Sequence, residues 1–397
     1  MTERLYYDNA YLTEFDGTVL ACEARGDHYD VLLDRSAFYP TSGGQPFDTG
    51  LLADARVLDV NVIEGEVWHT VDRPLKTGQS VHGTIDWPRR FDHMQQHAGD
   101  HMIAGALHRR MGGVTIGLHV GDEVSTIDVS MPDGATRITH EALRQIEMDV
   151  NEHIQRDVPI RCWFPAADEL AVLPLRKKPT VSEHVRVVAI GDDEMVACGG
   201  THPSTAGQIG LVRILSATPA RGKMRVAFLA GMRALKDDQR CHDAAHAASD
   251  LLSTGVDQLA GSVSALQERL RMAETELGRL RRERLMNQAD GMLSAAESLS
   301  DGTRLVSGFV DADAVGLREL ASRLIEKPGV VALLGASSGD QAIYVFGRSA
   351  DVDVSMGNLL RETANQFGGK GGGKPDFAQG GGCREILNAA CAKLRNR

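Results

Sequence analysis

Two short stretches of the chain each place two metal-binding side chains four residues apart. Upstream is His97-Ala98-Gly99-Asp100-His101, and downstream is Cys198-Gly199-Gly200-Thr201-His202. Imidazole nitrogen and thiolate sulfur are donors that zinc accepts, four at a time in a tetrahedron. His97 and His101 fall within Met94–Leu107, which reads as a helix. Positions i and i+4 share a helix face, so both rings can grip one ion. The two glycines between Cys198 and His202 predict a tight loop that bends both side chains toward one point. The spacing therefore predicts one zinc site held by His97, His101, Cys198 and His202. His93, one turn before His97, and His119 are each either an alternative ligand or a structural histidine.

Composition sets the frame around these donors. A length of 397 residues predicts two to four domains. The chain is 42% hydrophobic and 24% charged, as an ordinary soluble globular protein is. Six irregularly spaced cysteines are too few for a disulfide framework. The opening Met1-Thr2-Glu3-Arg4-Leu5-Tyr6 has no apolar signal core. No apolar run approaches the roughly 18 residues of a membrane span. These features predict a cytoplasmic protein with no membrane contact, in which thiols stay free for metal. A net charge of −11 argues against a purely electrostatic nucleic-acid binder, though not against one local basic face.

The elements that must carry the donors read as an α+β chain in four parts. Residues 1–90 show short strands, among them Thr18–Cys22, Val31–Leu33 and Val57–Val60, separated by turns. That run predicts a small β-barrel or sandwich. Within it, Gly43-Gly44-Gln45-Pro46 must be a loop. Residues 91–235 mix helices and strands around the four donors. A hairpin, Leu211–Leu215 with Met224–Leu229, carries Arg213, Arg221, Lys223 and Arg225, a basic cluster that either receives phosphates or is a solvated face. In residues 236–290, Leu252, Val256, Leu259, Val263, Leu266, Leu270, Ala273, Leu277 and Leu280 alternate spacings of four and three. This is a coiled-coil seam, paired within the chain as a hairpin or with a second copy as a homodimer. Residues 291–397 alternate strands at Leu305–Val310, Val330–Gly335 and Ala342–Phe346 with helices, an α/β unit. Its tail, Gly368–Gly382, fits a phosphate-binding loop until the position that must be Ser or Thr, which is Pro375. What remains is a glycine-rich surface carrying Lys370 and Lys374, able to lie against nucleic acid.

Taken together, Phe38–Gly50 with its Gly-Gly-Gln, His97-x3-His101, Cys198-Gly-Gly-Thr-His202 and the tail Gly368–Gly382 resemble the free-standing alanyl-tRNA editing proteins of the long form. Those proteins look like the editing and C-terminal parts of alanyl-tRNA synthetase. The resemblance implies a zinc-dependent hydrolase that removes serine or glycine wrongly attached to the tRNA for alanine. It implies an N-terminal β-barrel, a zinc-binding editing domain, coiled-coil helices and a tRNA-binding C-terminal domain of the DHHA1 kind. It also implies that Ser36 stands where relatives carry threonine and reads the substrate hydroxyl, with Gln45 as a second polar contact. His97 and His101 would serve catalysis as well as the metal, and Arg221, Lys223, Lys370 and Lys374 would meet tRNA. No segment resembles the synthetase's ATP-dependent aminoacylation core. Two other readings are a non-catalytic zinc-containing tRNA-binding module and a phosphoesterase. For the latter, Asp92-His93 is followed by Met94, and aspartate-rich metal motifs are absent.

Overall fold

Alternating apolar residues in the first 90 positions build six strands: β1 Glu14–Arg25, β2 His28–Leu33, β3 Gly50–Leu52, β4 Ala55–Ile63, β5 Glu66–Val71 and β6 Ser80–Ile85. In this computed structural model, which describes residues 1–179, 181, 183–338 and 341–397, they close into a barrel in the order β1-β2-β5-β4-β3-β6. Every second side chain points inward, so Val31, Leu33, Val57, Val67, Val71 and Val81 fill the interior.

A 25-residue helix, α1 Trp87–Met111, follows the barrel. Asp86 caps its start by accepting the Arg89 amide, Pro88 occupies its first turn, and Gly112 ends it at φ +67°. The helix is buried from His93 through Leu107, which explains why its sequence lacks a clean polar face. Two antiparallel sheets pack around it. One combines β7 Val114–Val120, β8 Ser125–Ser130, β12 Val212–Ala220 and β13 Lys223–Ala230, in the order β12-β13-β8-β7. The other orders β9 Ile160–Trp163, β10 Val187–Ile190 and β11 Glu194–Ala197 in sequence. Helix α2, His140–Gln155, contributes Leu143, Ile146, Val150 and Ile154 to the shared core.

Polar side chains on α1 tie it to its neighbours. Arg90 is fully buried and meets Asp48 from the barrel with Nε at 3.0 and 2.9 Å from its two carboxylate oxygens. Its other nitrogens donate to the carbonyls of Ala10 and Ala37 at 2.8 and 2.6 Å. Gln96 pairs with both backbone groups of Ala230, at 2.9 and 3.0 Å.

The chain divides into two units, Met1–Ala247 and Ala248–Arg397. The boundary falls within helix α3, Met232–Leu251. In the second unit, α4 Leu259–Ser294 leads to a six-stranded sheet. Its main strands are β14 Arg304–Phe309, β15 Val330–Ser338, β16 Gln341–Arg348, β17 Lys370–Gly373 and β18 Phe377–Gly382. Helix α5, Ala314–Ile325, packs on one face together with Leu285 and Ala289. Helices α6, Met356–Gln366, and α7, Glu385–Arg395, pack on the other.

Two expectations change here. The seam is not one unbroken helical run: Leu252 and Val256 lie in the break between α3 and α4. Gly255 sits there in extended backbone at φ −81°, ψ 155°. Val263, Leu266, Leu270, Leu277 and Leu280 do lie on α4 and are exposed. The glycine-rich tail, in turn, forms no phosphate-binding loop but strand β17 at the sheet edge and strand β18 between it and β16. Close approach explains the glycines: a side chain at Gly371 or Gly380 would meet Leu360 or the facing strand. Among the described residues, no helix is long and apolar enough to cross a membrane.

Candidate metal centre

His97 and His101 project from the buried middle of α1, with rings stacked at 5.1 Å. Cys198 and His202 arrive from the loop after β11. One donor atom from each of the four lies within 4.8 Å of the rest. The Cys198 Sγ is 3.3 Å from His97 Nε2 and 3.4 Å from His202 Nε2. A tetrahedral zinc ion with bonds of about 2.0–2.3 Å spaces its donors about 3.3–3.8 Å apart.

The surrounding shell sets the orientation of these groups. Gly43 and Gly44, at φ +58° and +83°, form a two-residue turn closed by Ser42 and Gln45. A side chain on Gly44 would sit 2.1 Å from the Leu118 carbonyl, so the turn lies directly on β7. The turn aims Gln45, fully buried, at the metal ligands. Its Oε1 accepts the Thr201 amide at 3.2 Å and its Nε2 donates to the Thr201 hydroxyl at 2.8 Å. The amide orientation is thereby fixed, so His97 Nδ1–H donates to the same Oε1 at 2.8 Å. That leaves the His97 Nε2 lone pair facing Cys198. Gly200 is required because any side chain there would stand 2.2 Å from His97 Cε1. Arg186 holds the loop by donating to the carbonyls of Cys198 and Gly200 at 3.1 and 2.8 Å.

The residues fit a bound cation. Both His101 nitrogens and His202 Nδ1 are buried with no hydrogen-bond partner, a situation that costs about 1–3 kcal/mol per group unless something binds there. Burial pushes His97 down to about 3, with Arg186 adding to the effect. Burial likewise holds His101 and His202 well below the usual imidazole range. All three rings are neutral, as ligands must be. Burial raises the Cys198 thiol to about 12, so a cation must displace its proton on binding.

Three further residues escape a spacing-based reading. Glu194 is buried, pairs with Arg176 at 2.7 Å and stands 4.0 Å from His101 Nδ1. Burial, with Glu194 adding to it, raises Asp100 to about 7. Only the buried carboxyl next to a metal-ligand pattern, Asp100 inside His97-x3-His101, hinted at this cluster.

Ser36 does not stand with the donors. It is fully buried in the barrel, where its hydroxyl is 2.7 Å from His69 Nε2 and accepts the Phe38 amide at 3.1 Å. His69 Nδ1–H donates to the Val31 carbonyl at 3.1 Å, so Nε2 accepts from Ser36. In this structure the hydroxyl is hydrogen-bonded inside the barrel, and a contact with substrate stays a proposal. Gln45 does stand with the donors, where it supports His97. His119 is exposed on β7, and His93 lines a different cleft. Arg221 is exposed at φ +49° in the β12–β13 turn, with Lys223 after it, and both act on Asp128. Arg225 is bound to Asp128 at 2.7 Å and Arg213 to Glu147 at 3.0 Å, which offsets the basic cluster. Lys370 and Lys374 are exposed at the edge of the second unit.

Cys198 lies at the wall of a cavity of about 780 Å³. Arg4, Lys177, Lys178 and Arg186 supply positive charge around it, and Tyr7 and Phe164 meet edge to face at 5.6 Å. That volume is of the size that holds a small ligand.

Residues 3–89 match the family described as tRNA synthetases class II (A). Residues 185–226 match the threonyl and alanyl tRNA synthetase second additional domain, and residues 302–397 match the DHHA1 domain. An alanine–tRNA ligase of Halorubrum lacusprofundi is 33% identical over 100% of this chain and 44% of its own length. One from Halobacterium salinarum is 35% identical over 96% of this chain and 42% of its own length. The chain thus spans less than half of these ligases. The alanyl-tRNA editing protein AlaX-L of Pyrococcus horikoshii is 28% identical over 100% of this chain and 99% of its own length. The crystal structure of the C-Ala domain from Aquifex aeolicus alanyl-tRNA synthetase aligns with 25% of this chain and 95% of its own, at 28% identity and a TM-score of 0.24. Over its full length the chain resembles the alanyl-tRNA editing protein AlaX-L, and it resembles alanyl-tRNA synthetase over less than half of that enzyme's length.

Proposed function

We propose that the protein is an aminoacyl-tRNA deacylase that hydrolyses serine or glycine from mischarged tRNA for alanine. The observation that carries this is a cluster of three imidazoles and one thiol that borders a basic cavity. The need for such an activity is physical. A synthetic site for alanine gains only about 1–3 kcal/mol of discrimination from one methyl or hydroxyl, so a second hydrolytic sieve is required.

A bound zinc ion would supply positive charge, either polarising a water and the ester carbonyl or fixing the amino end of the substrate. Four protein ligands complete a tetrahedron, which favours the second role. The chain itself does the rest. Gln45 and Thr201 hold His97 in one tautomer, Arg186 fixes the loop, and the cavity walls limit water. Arg4, Lys177 and Lys178 receive the phosphates of the acceptor end, with Tyr7 and Phe164 as an apolar wall for its last base. Ser36 and Gln45 would read the serine hydroxyl, and Ser42, a polar group of the cavity wall, would add to that reading.

In this reading residues 1–90 and 91–235 form the editing part. Residues 236–290 pair two copies through the exposed α4 seam, and 291–397 hold tRNA. Arg221, Lys223, Lys370 and Lys374 touch its phosphates. A reducing cytoplasm keeps Cys198 available.

The test is deacylation of Ser-, Gly- and Ala-charged tRNA for alanine, with and without chelator. Ser-tRNA is expected to be cleaved faster than Ala-tRNA, and chelator is expected to stop it. tRNA binding without deacylation would favour a binding module instead.

A further inference from the structure

A second cavity, of about 740 Å³, opens at the first turns of α1 and α3, and Cys198 takes no part in it. Three observations there point to a ligand. The first is His93: it lines this cavity, is only 2% exposed, and its Nδ1 has no partner. A buried imidazole nitrogen left unpaired is unfavourable, and a ligand atom would satisfy it. Burial, with Arg89 and Arg233 adding to it, lowers His93 to about 3, so the ring stays neutral. The second is a ladder of rings. Tyr11 and Trp87 lie 5.4 Å apart, and Trp87 stacks on Phe91 at 5.3 Å and 29°. Trp87 and Phe91 line the cavity and Tyr11 does not, so Phe91 is the end of the ladder that faces a ligand.

The third observation is charge. Arg233 lines the cavity but is bound to Asp92 at 2.8 and 3.1 Å, so the two neutralise each other. Arg89 spends its Nε on the Phe47 carbonyl at 3.1 Å and lies over the Phe47 ring at 5.4 Å. Its terminal nitrogens remain, as does exposed Lys236, against the single exposed carboxylate of Asp122. Arg89 and Lys236 outnumber the one unpaired carboxylate, Asp122, so the lining favours an anion over a cation. A flat aromatic group joined to an anion is what these walls complement.

We propose that this cavity binds a nucleotide unit: its base continues the ring ladder beyond Phe91 and meets His93 Nδ1 with one edge, and its phosphate meets Arg89 and Lys236. The site is separate from the metal centre, so it stands whether or not the deacylase reading does. Two sources share this chemistry, a free mononucleotide and one residue of an RNA strand.

Titration of the full chain with AMP, and separately with a single-stranded 12-mer RNA, followed by calorimetry and by tryptophan emission, tests the proposal. Saturable binding of AMP is expected for a free mononucleotide site, and binding of the 12-mer alone for a strand site. In either case Phe91→Leu and Lys236→Glu should each weaken it about tenfold. Lys236 is exposed, so its substitution leaves folding intact. Ribose 5-phosphate, lacking the base, should bind no better to the natural chain than to Phe91→Leu. The proposal falls if neither probe binds, or if binding is the same in both variants.

Discussion

At the scale of single residues, Gln45 and Ser36 each make hydrogen bonds that their neighbourhood in sequence does not suggest. Gln45 touches two groups, His97 and Thr201, that both belong to the metal centre. Outer partners of metal-bound histidines are worth about 10–100-fold in metal affinity. Gln45→Leu should therefore weaken zinc by that factor in a chelator competition, while the fold melts at nearly the natural temperature. Unchanged affinity would show that His97 needs no such support. Ser36→Ala removes the hydroxyl that satisfies His69 Nε2 inside the barrel. It should cost about 1–3 kcal/mol in urea unfolding, and lower the ratio of Ser-tRNA to Ala-tRNA deacylation. An unchanged ratio would confine Ser36 to the barrel. Neither assignment is legible in the sequence, because each depends on a partner brought close by folding: His69 lies on β5, and Thr201 follows the third strand of another sheet.

At the scale of elements, the stretches with strong local signals were readable. The four donors stood out because such ligands at four-residue spacing are rare, and strands such as Val31–Leu33 and Val57–Val60 follow from short apolar stretches bounded by turn residues. What could not be read was set by tertiary contact. The glycines of the tail look like a loop until β17 and β18 are seen to approach Leu360 and each other. Arg90 looks like a surface residue, yet it and Asp48 form a buried pair that joins α1 to the barrel. Asp48→Asn should destabilise the first unit by about 3–5 kcal/mol, since it strips the partner from a buried guanidinium. Gly200→Ala is a sharper test of the donor loop. Its new methyl would strike His97, and Arg186 holds the loop against retreat. Zinc content should fall well below one per chain, measured by atomic emission, with the barrel still folded.

The barrel also carries a pH dependence. Burial lowers His69 from 6.5 to about 4 in the folded state. As the solution is acidified below 6.5, the unfolded chain takes up this proton and the folded chain does not. Stability therefore falls between about 6.5 and about 4, by about 3 kcal/mol from this group at most. His69→Gln cannot titrate, so its urea midpoint should decline less steeply over that window. Parallel curves for the two proteins would place the acid sensitivity in other groups.

At the scale of the whole molecule, the donor cluster lies in one of the two units alone. All four donors, and with them Gln45, Thr201, Arg186 and Glu194, lie within Met1–Ala247. A fragment of residues 1–247 should therefore bind one zinc with the affinity of the full chain. The second unit presents a different feature, an exposed apolar seam: Val263 is 44% exposed, Leu266 50%, Leu270 59%, and Leu277 and Leu280 48% each. Residues of the same helix pair charges on its outer faces, Arg271 with Glu268 at 2.7 Å and Arg279 with Glu276 at 2.8 Å. Those pairs hold α4 as a helix in water, where a stripe of leucines alone would be a liability. A stripe with a 3.5-residue repeat is best covered by its own copy, because identical knobs and holes then match along the whole length. The double substitution Leu266→Glu, Leu270→Glu adds two charges to that stripe and leaves the buried end of α4 at Leu285 and Ala289 untouched. Sedimentation at micromolar concentration should show a dimer for the natural chain and a monomer of unchanged helix content for the variant. A natural chain that sediments as a monomer would leave the seam for a different partner and remove self-pairing from the account.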